Sequence, residues 1–217
     1  MLHLQRDLEV LKREILELGG MVEVAINDAI LALNNRRIDL AEKVIEREDA
    51  INEKEVHIEE ECLKILALHQ PVAVDLRFIV VTLKVNNDLE RMGDFALNVA
   101  ERAIFLASHD PIPSLPDFVN VMPDVVRTMV RNTLDALVKL DMDMANEVIQ
   151  MDDIIDDINR RMYGELQALM EKDPSTIERA IQLLSTSRYL ERIADLATNI
   201  AEDVVFMVEG RVVRHYD

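Results

Sequence analysis

Apolar residues recur at helical spacing along almost the whole chain, with turn signals at regular intervals. The first stripe runs Leu8, Leu11, Ile15, Leu18, Val22, Ile26, Ala29, Ile30 and Leu33. It predicts a helix over about residues 4–33, with Asn34-Asn35-Arg36-Arg37 as the turn. Gly19-Gly20 interrupts the stripe, at a cost of roughly 2 kcal/mol relative to alanine. The pair marks a bend or a close approach by another backbone. Asp39-Leu40-Ala41-Glu42 has the form of a capping box and opens a second helix. Its buried face reads Val44, Ile51, Ile58, Cys62 and Ile65, and Gln70-Pro71 ends it. Pro71 then suits the first turn of a third helix, which reaches about residue 107.

From Ser108 to Asp124 the periodicity stops, and four of the six prolines fall in this stretch. A linker is expected over about 108–116. Three further helices follow: to about residue 140, from about 143 to 170, and from about 173 to 208. The last opens on the start signals Asp173-Pro174-Ser175-Thr176-Ile177-Glu178. Long rods joined by short turns predict an all-α protein of antiparallel bundles.

The chain also repeats itself. Leu89-Glu90-Arg91-Met92-Gly93-Asp94-Phe95-Ala96-Leu97-Asn98-Val99-Ala100-Glu101 returns as Leu190-Glu191-Arg192-Ile193-Ala194-Asp195-Leu196-Ala197-Thr198-Asn199-Ile200-Ala201-Glu202, 101 residues later. Eight of the 13 positions are identical. Asp39-Leu40-Ala41 matches Asp143-Met144-Ala145 at an offset of 104, so the first half carries three extra residues before its third helix. The expected fold is two tandem antiparallel three-helix bundles related by internal duplication, 1–110 and 111–217.

The repeated motif keeps its polar residues as well as its core. Glu90, Asp94, Asn98 and Glu101 form one row, placed on roughly the opposite side from the apolar stripe. Glu191, Asp195, Asn199 and Glu202 form its copy. The second and fifth helices add Asp49/Glu53 and Asp153/Asp157, again one turn apart. Like charges so placed repel by about 0.2–0.5 kcal/mol per pair. If neighbouring helices bring the pairs together, the oxygen-rich donor set suits Mg²⁺, Mn²⁺, Ca²⁺ or iron better than structural zinc. The plainer alternative is a solvated acidic face, with Arg91 and Arg192 reaching Asp94 and Asp195.

The net charge of −18 makes nucleic acid an unexpected partner and disfavours direct contact with anionic lipid. Cys62 stands alone and the N-terminus carries no apolar leader pattern, which together predict a cytoplasmic location. Hydrophobic content is 49% with only 4% aromatic, the profile of aliphatic helix packing. No Glu-x-x-His, His-Glu-x-x-His or glycine-rich phosphate loop occurs. The five histidines are scattered, and no nucleophile–base set can be picked out, so no catalytic residue is expected.

Asp88-Leu89-Glu90-Arg91-Met92-Gly93-Asp94 and its partner Tyr189-Leu190-Glu191-Arg192-Ile193-Ala194-Asp195 resemble the PhoU family of phosphate-signalling proteins. Gln70-Pro71-Val72-Ala73-Val74-Asp75-Leu76-Arg77 does too, and the resemblance extends over nearly the whole chain. It implies multinuclear metal clusters on the bundle surface, of iron, manganese, magnesium or zinc. Glu90, Asp94, Asp153, Asp157, Glu191 and Asp195 would be ligands, with Asp49 and, in place of an expected Asp, Glu53. It also implies a homodimeric, non-catalytic adaptor between a phosphate ABC transporter and a sensor histidine kinase. Such an adaptor reaches the membrane only through these partners and holds the phosphate regulon off. Two other functions stand beside it on the residues alone: a carboxylate-cluster metallohydrolase acting on phosphoesters, and a structural helical interaction protein.

Overall fold

The computed structural model describes residues 2–112 and 121–210. The expected linker at 108–116 therefore lies partly outside the described residues. Among these residues there are six α-helices and no strand: α1 (Leu2–Asn35), α2 (Ile38–His69), α3 (Ala73–Ala107), α4 (Met122–Lys139), α5 (Met142–Lys172) and α6 (Ile177–Glu209). A 3₁₀ turn at Pro174–Thr176 leads into α6. Helices α1–α3 form one antiparallel bundle and α4–α6 a second. α3 packs along α6 and joins the two, while α1 touches α4 more lightly. One continuous apolar core results, in which Leu89, Met92 and Val99 of α3 lie with Leu190, Ile193 and Ile200 of α6. No helix among the described residues is long and apolar enough to cross a membrane.

The helix ends follow local chemistry with small shifts from expectation. The capping box at Asp39 is not used. α2 starts two residues earlier, after an extended Arg37 without a side-chain cap. Asp39 falls in the first turn, where its charge complements the helix dipole, and it accepts hydrogen bonds from Arg37 Nε and Nη2 at 2.7 and 2.6 Å. That guanidinium holds the Asp39 carboxyl below its ordinary value. Pro71 is buried two residues ahead of α3 instead of lying in its first turn. α4 begins earlier than the Asp124 break suggested, with Pro123 at its start, where a missing N–H is harmless. Asp141 caps α5 by accepting from Met144 N at 3.1 Å. Asp173 accepts from Ser175 N at 3.0 Å before α6.

Gly19-Gly20 does not break α1, which is continuous through it. Gly19 is the point of close approach. A Cβ there would lie 2.7 Å from Leu134 Cδ2, a residue of the other bundle, whereas a Cβ on Gly20 would meet nothing within 4 Å. Further ties cross between the halves. Lys84 Nζ lies 3.0 Å from the buried Asp203, Arg77 donates to the Met207 carbonyl at 3.2 Å, and Phe95 stacks on Tyr189 with ring centres 6.0 Å apart. Cys62 is buried, and burial together with Glu59 and Glu61 pushes its thiol up to about 12, so it is an inert core residue.

The two glycines should respond in opposite directions. Gly20→Ala should stabilise the protein by about 1 kcal/mol by removing backbone entropy from the unfolded chain. Gly19→Ile should destabilise it by about 1–3 kcal/mol by overpacking against Leu134. Denaturant midpoints of the two variants measure this, and equal shifts would contradict the contact.

Candidate functional site

The carboxylate rows of α3 and α6 lie at the edge of the buried stripes, not opposite them. Glu90, Asp94 and Asn98 are half-buried, as are Glu191 and Asn199, whereas Asp195 retains more exposure. The reason is packing. Leu89, Met92, Gly93 and Ala96 are buried against the bundle, and positions 90 and 94 flank that face on the side toward α2. Gly93 allows the approach: a Cβ there would lie 3.2 Å from Ile51 Cγ2 on α2. In the second half Ala194 takes this position and is fully buried.

The partners on the outer helices are one residue earlier than expected. Asp49, Glu53, Asp153 and Asp157 are exposed, and Asp157 pairs with Arg160 at 2.8 Å. Glu48 and Glu55 of α2 are the groups whose charge reaches Glu90, and Glu48 reaches Asp94. In the second half Asp156 acts on Glu191 and Asp195, and Asp195 and Asp156 act on Asp152. The signal for this register is in the spacing. Glu48, Ile51, Asn52 and Glu55 stand at i, i+3, i+4 and i+7, around the buried Ile51. Asp152, Ile155, Asp156 and Asn159 do the same around the buried Ile155. Asp49/Glu53 and Asp153/Asp157 are about 100° further round the helix, and Asp156 is itself exposed.

The polar contacts support this register. Asn52 Nδ2 donates to Glu48 Oε1 at 2.6 Å. The buried Asn86 donates to the Glu55 carbonyl at 2.9 Å and to its Oε1 at 3.3 Å. At the equivalent place in the second half, buried Ser187 donates to Asn159 Oδ1 at 2.7 Å. Asn98 spends its amide on the Asp94 backbone carbonyl at 2.7 Å, and Glu101 is exposed and pairs with Arg102 at 2.9 Å. Neither extends the row as expected. Glu202 is half-buried one helical turn beyond Asn199.

Carboxylates outnumber the arginines beside them, Arg91 at the first row and Arg188 and Arg192 at the second. Burial first, then neighbouring carboxylates, raises the proton affinity of Glu90 and Asp94, and Arg91 offsets part of the rise. Arg91 itself is directed toward Asp88, at 3.8 Å. Burial, Asp195 and Asp156 push Asp152 up to about 6. The Thr198 hydroxyl works against that rise, although Thr198 Oγ1 and Asp152 Oδ1 are both buried without reaching hydrogen-bond geometry. Asn52 Oδ1 is likewise buried and unpartnered. Hard oxygen donors, raised carboxyls and orphaned oxygens are the chemistry a divalent cation relieves. Among the described residues, however, no three acidic, histidine or cysteine side chains converge on a common ion position.

The two rows have different surroundings. Beside Glu191 and Asp195, the side chains of Asn159, Tyr163, Arg188 and Arg192 line a polar cavity of about 320 Å³. Asn87 and Glu59 occupy the first-half positions equivalent to Arg188 and Tyr163, so the first row lacks that cationic flank.

The family model described as the PhoU domain matches twice, at residues 15–103 and 119–204, once per bundle. This chain belongs to the PhoU family. A phosphate-specific transport system accessory protein PhoU homolog of Pseudomonas putida is 42% identical over 209 residues, 96% of this chain and 82% of that protein. The Aquifex aeolicus homolog is 39% identical and covers 97% of this chain and 95% of its own length. Among solved structures, PhoU from Pseudomonas aeruginosa superposes with a TM-score of 0.93 at 40% identity, over 95% of this chain and 99% of that one. The phosphate transport system regulatory protein PhoU from Streptococcus pneumoniae gives 0.88 at 29% identity, over 97% and 99%. The PhoU fold thus accounts for both bundles and for their side-by-side packing.

Asp152 provides a pH test on metal-free protein. Its folded-state affinity for protons exceeds that of the unfolded chain, so its ionisation opposes folding at neutral pH. Lowering the pH from 7 to 5 should therefore remove a penalty of about 1–2 kcal/mol, allowing for screening of a half-buried group. Asp152→Asn should be more stable than the parent at pH 7 and should lose this part of the pH slope. Urea unfolding at several pH values measures both effects.

Proposed function

We propose that this PhoU-family chain is a cytoplasmic accessory regulator of phosphate uptake that acts by contact, not by catalysis. The observation that carries the reading is the match of a PhoU domain to each half, together with relatives named as accessory proteins of the phosphate-specific transport system. In this reading the chain couples a phosphate ABC transporter to a sensor histidine kinase and holds phosphate-starvation genes off when phosphate is plentiful. It works as a homodimer. A surface with a net charge of −18 favours docking on basic protein faces and strengthens such encounters at low salt.

The carboxylate rows are proposed to bind divalent cations, with iron, manganese, magnesium or zinc as the candidates. Glu48, Glu55, Glu90 and Asp94 would hold one centre, and Asp152, Asp156, Glu191 and Asp195 the other. A bound cation would offset the mutual repulsion of these carboxyls, of which Asp156 and Asp195 are exposed and the others half-buried. Side chains from α2 and α3, or from α5 and α6, would then turn toward one another. Each outer helix would be tied to its central helix, and the acidic surface offered to a partner would depend on metal occupancy.

Regulation is tested in a strain deleted for its own copy of the gene. Such a strain should express phosphate-starvation genes in phosphate-rich medium, and supplying the chain should switch them off. Expression that stays high despite folded protein would remove the regulatory reading. Metal binding is tested separately by equilibrium dialysis and elemental analysis. Glu90→Ala with Asp94→Ala should lower the bound metal, whereas Asp49→Ala with Glu53→Ala should leave it unchanged. The reverse pattern would place the ligands on the exposed row.

A further inference from the structure

A second feature lies away from the carboxylate rows, in the cleft where α1 of one bundle faces α4 of the other. Arg127 of α4 is three-quarters buried, with its side chain 28% exposed. Its guanidinium is held by one bond, from Nη1 to Asp124 Oδ1 at 3.2 Å. Nε and Nη2, the two parallel donors on the other edge, are buried and have no hydrogen-bond partner among the described residues. An unmet pair of donors on a permanent cation is costly, because each has lost water without gaining an acceptor.

Beside this side chain is a cavity of about 320 Å³, lined by Glu23, Ile26 and Asn27 of α1 and by Arg127, Val130 and Arg131 of α4, among others. Arg131 is one helical turn from Arg127, and its nearest acid, Glu23, is 3.9 Å away. The two acids at this place, Glu23 and Asp124, are 42% and 73% exposed, so water screens their repulsion of an incoming anion. Arg131 and Asn27 add donors from the two sides of the cleft.

We propose that the α1–α4 cleft is a binding site for a small oxyanion, taken up by the Nε/Nη2 fork of Arg127 with Arg131 and Asn27 in support. The fork matches two oxygens of one phosphate, sulfate or carboxylate group. To meet an anion in the cavity the buried fork must rotate about the Cδ–Nε bond, exchanging the single Asp124 bond for the anion's oxygens. Bound there, the anion bridges a helix of each bundle and stiffens their lighter contact. The site is independent of the carboxylate rows and of any metal they hold.

The test uses the full chain labelled with ¹⁵N, titrated with inorganic phosphate, sulfate or acetate while chloride holds the ionic strength constant. A saturable shift of the Arg127 Nε–H resonance is expected in the millimolar range. Arg127→Gln should weaken binding about tenfold or more by calorimetry. Arg127→Lys, which keeps the charge and loses the fork, should also weaken it, and circular dichroism of both variants checks that they are folded. A stronger response to phosphate and sulfate than to acetate assigns the site to tetrahedral oxyanions, and the reverse assigns it to carboxylates. No saturable response, an equal response to chloride, or binding that survives both variants overturns the proposal.

Discussion

The structure depends on the packing of α3 along α6. Each contributes more buried residues than any other helix of its bundle, and their shared face turns two small units into one with a common core. A three-helix unit of about 100 residues buries a smaller fraction of its surface than a chain twice as long. Joining the two halves through their central helices improves that ratio and hides an apolar face each would otherwise expose. The cross-links at this seam are specific as well as apolar: Lys84 with Asp203, Arg77 with the Met207 carbonyl, and Phe95 with Tyr189.

The same packing creates the electrostatic problem at the candidate site. With one face of α3 or α6 inside the molecule and another against α2 or α5, residues at the boundary are partly desolvated. Carboxylates occupy that boundary on both sides, and their raised proton affinity is the measurable consequence. A solvated acidic face would not show it. Partial burial and mutual repulsion together raise the cost of keeping all of these carboxyls ionised.

Duplication supplied two such boundaries, and the halves have since diverged. Gly93 accepts Ile51 closely where Ala194 fills its own space, and Asn86 is matched by Ser187 in a shorter contact to α5. Arg188 and Tyr163 give the second row a cationic, hydroxyl-lined flank beside a cavity. The two rows therefore present different chemistry although they descend from one motif, and they need not take up the same ion with the same strength.

Much of this was legible in the chain. Helical periodicity, turn residues and the internal repeat determine six helices, their order and the pairing into two bundles, because each signal is local or repeats itself. The repeated motif also singles out Glu90, Asp94, Glu191 and Asp195 and points to the PhoU family. Three things waited on the tertiary structure. Which of two adjacent acidic rows on α2 and α5 turns inward depends on how those helices roll against α3 and α6. A one-residue step rotates a side chain by about 100°, and acid identity alone favours the exposed row because Asn52 interrupts the row that faces α3. Whether Gly19-Gly20 is a bend or a contact was decided by Leu134, which is more than a hundred residues away in sequence. The seam between the bundles, with the Arg127 cleft beside it, follows from long-range burial, which no local pattern encodes.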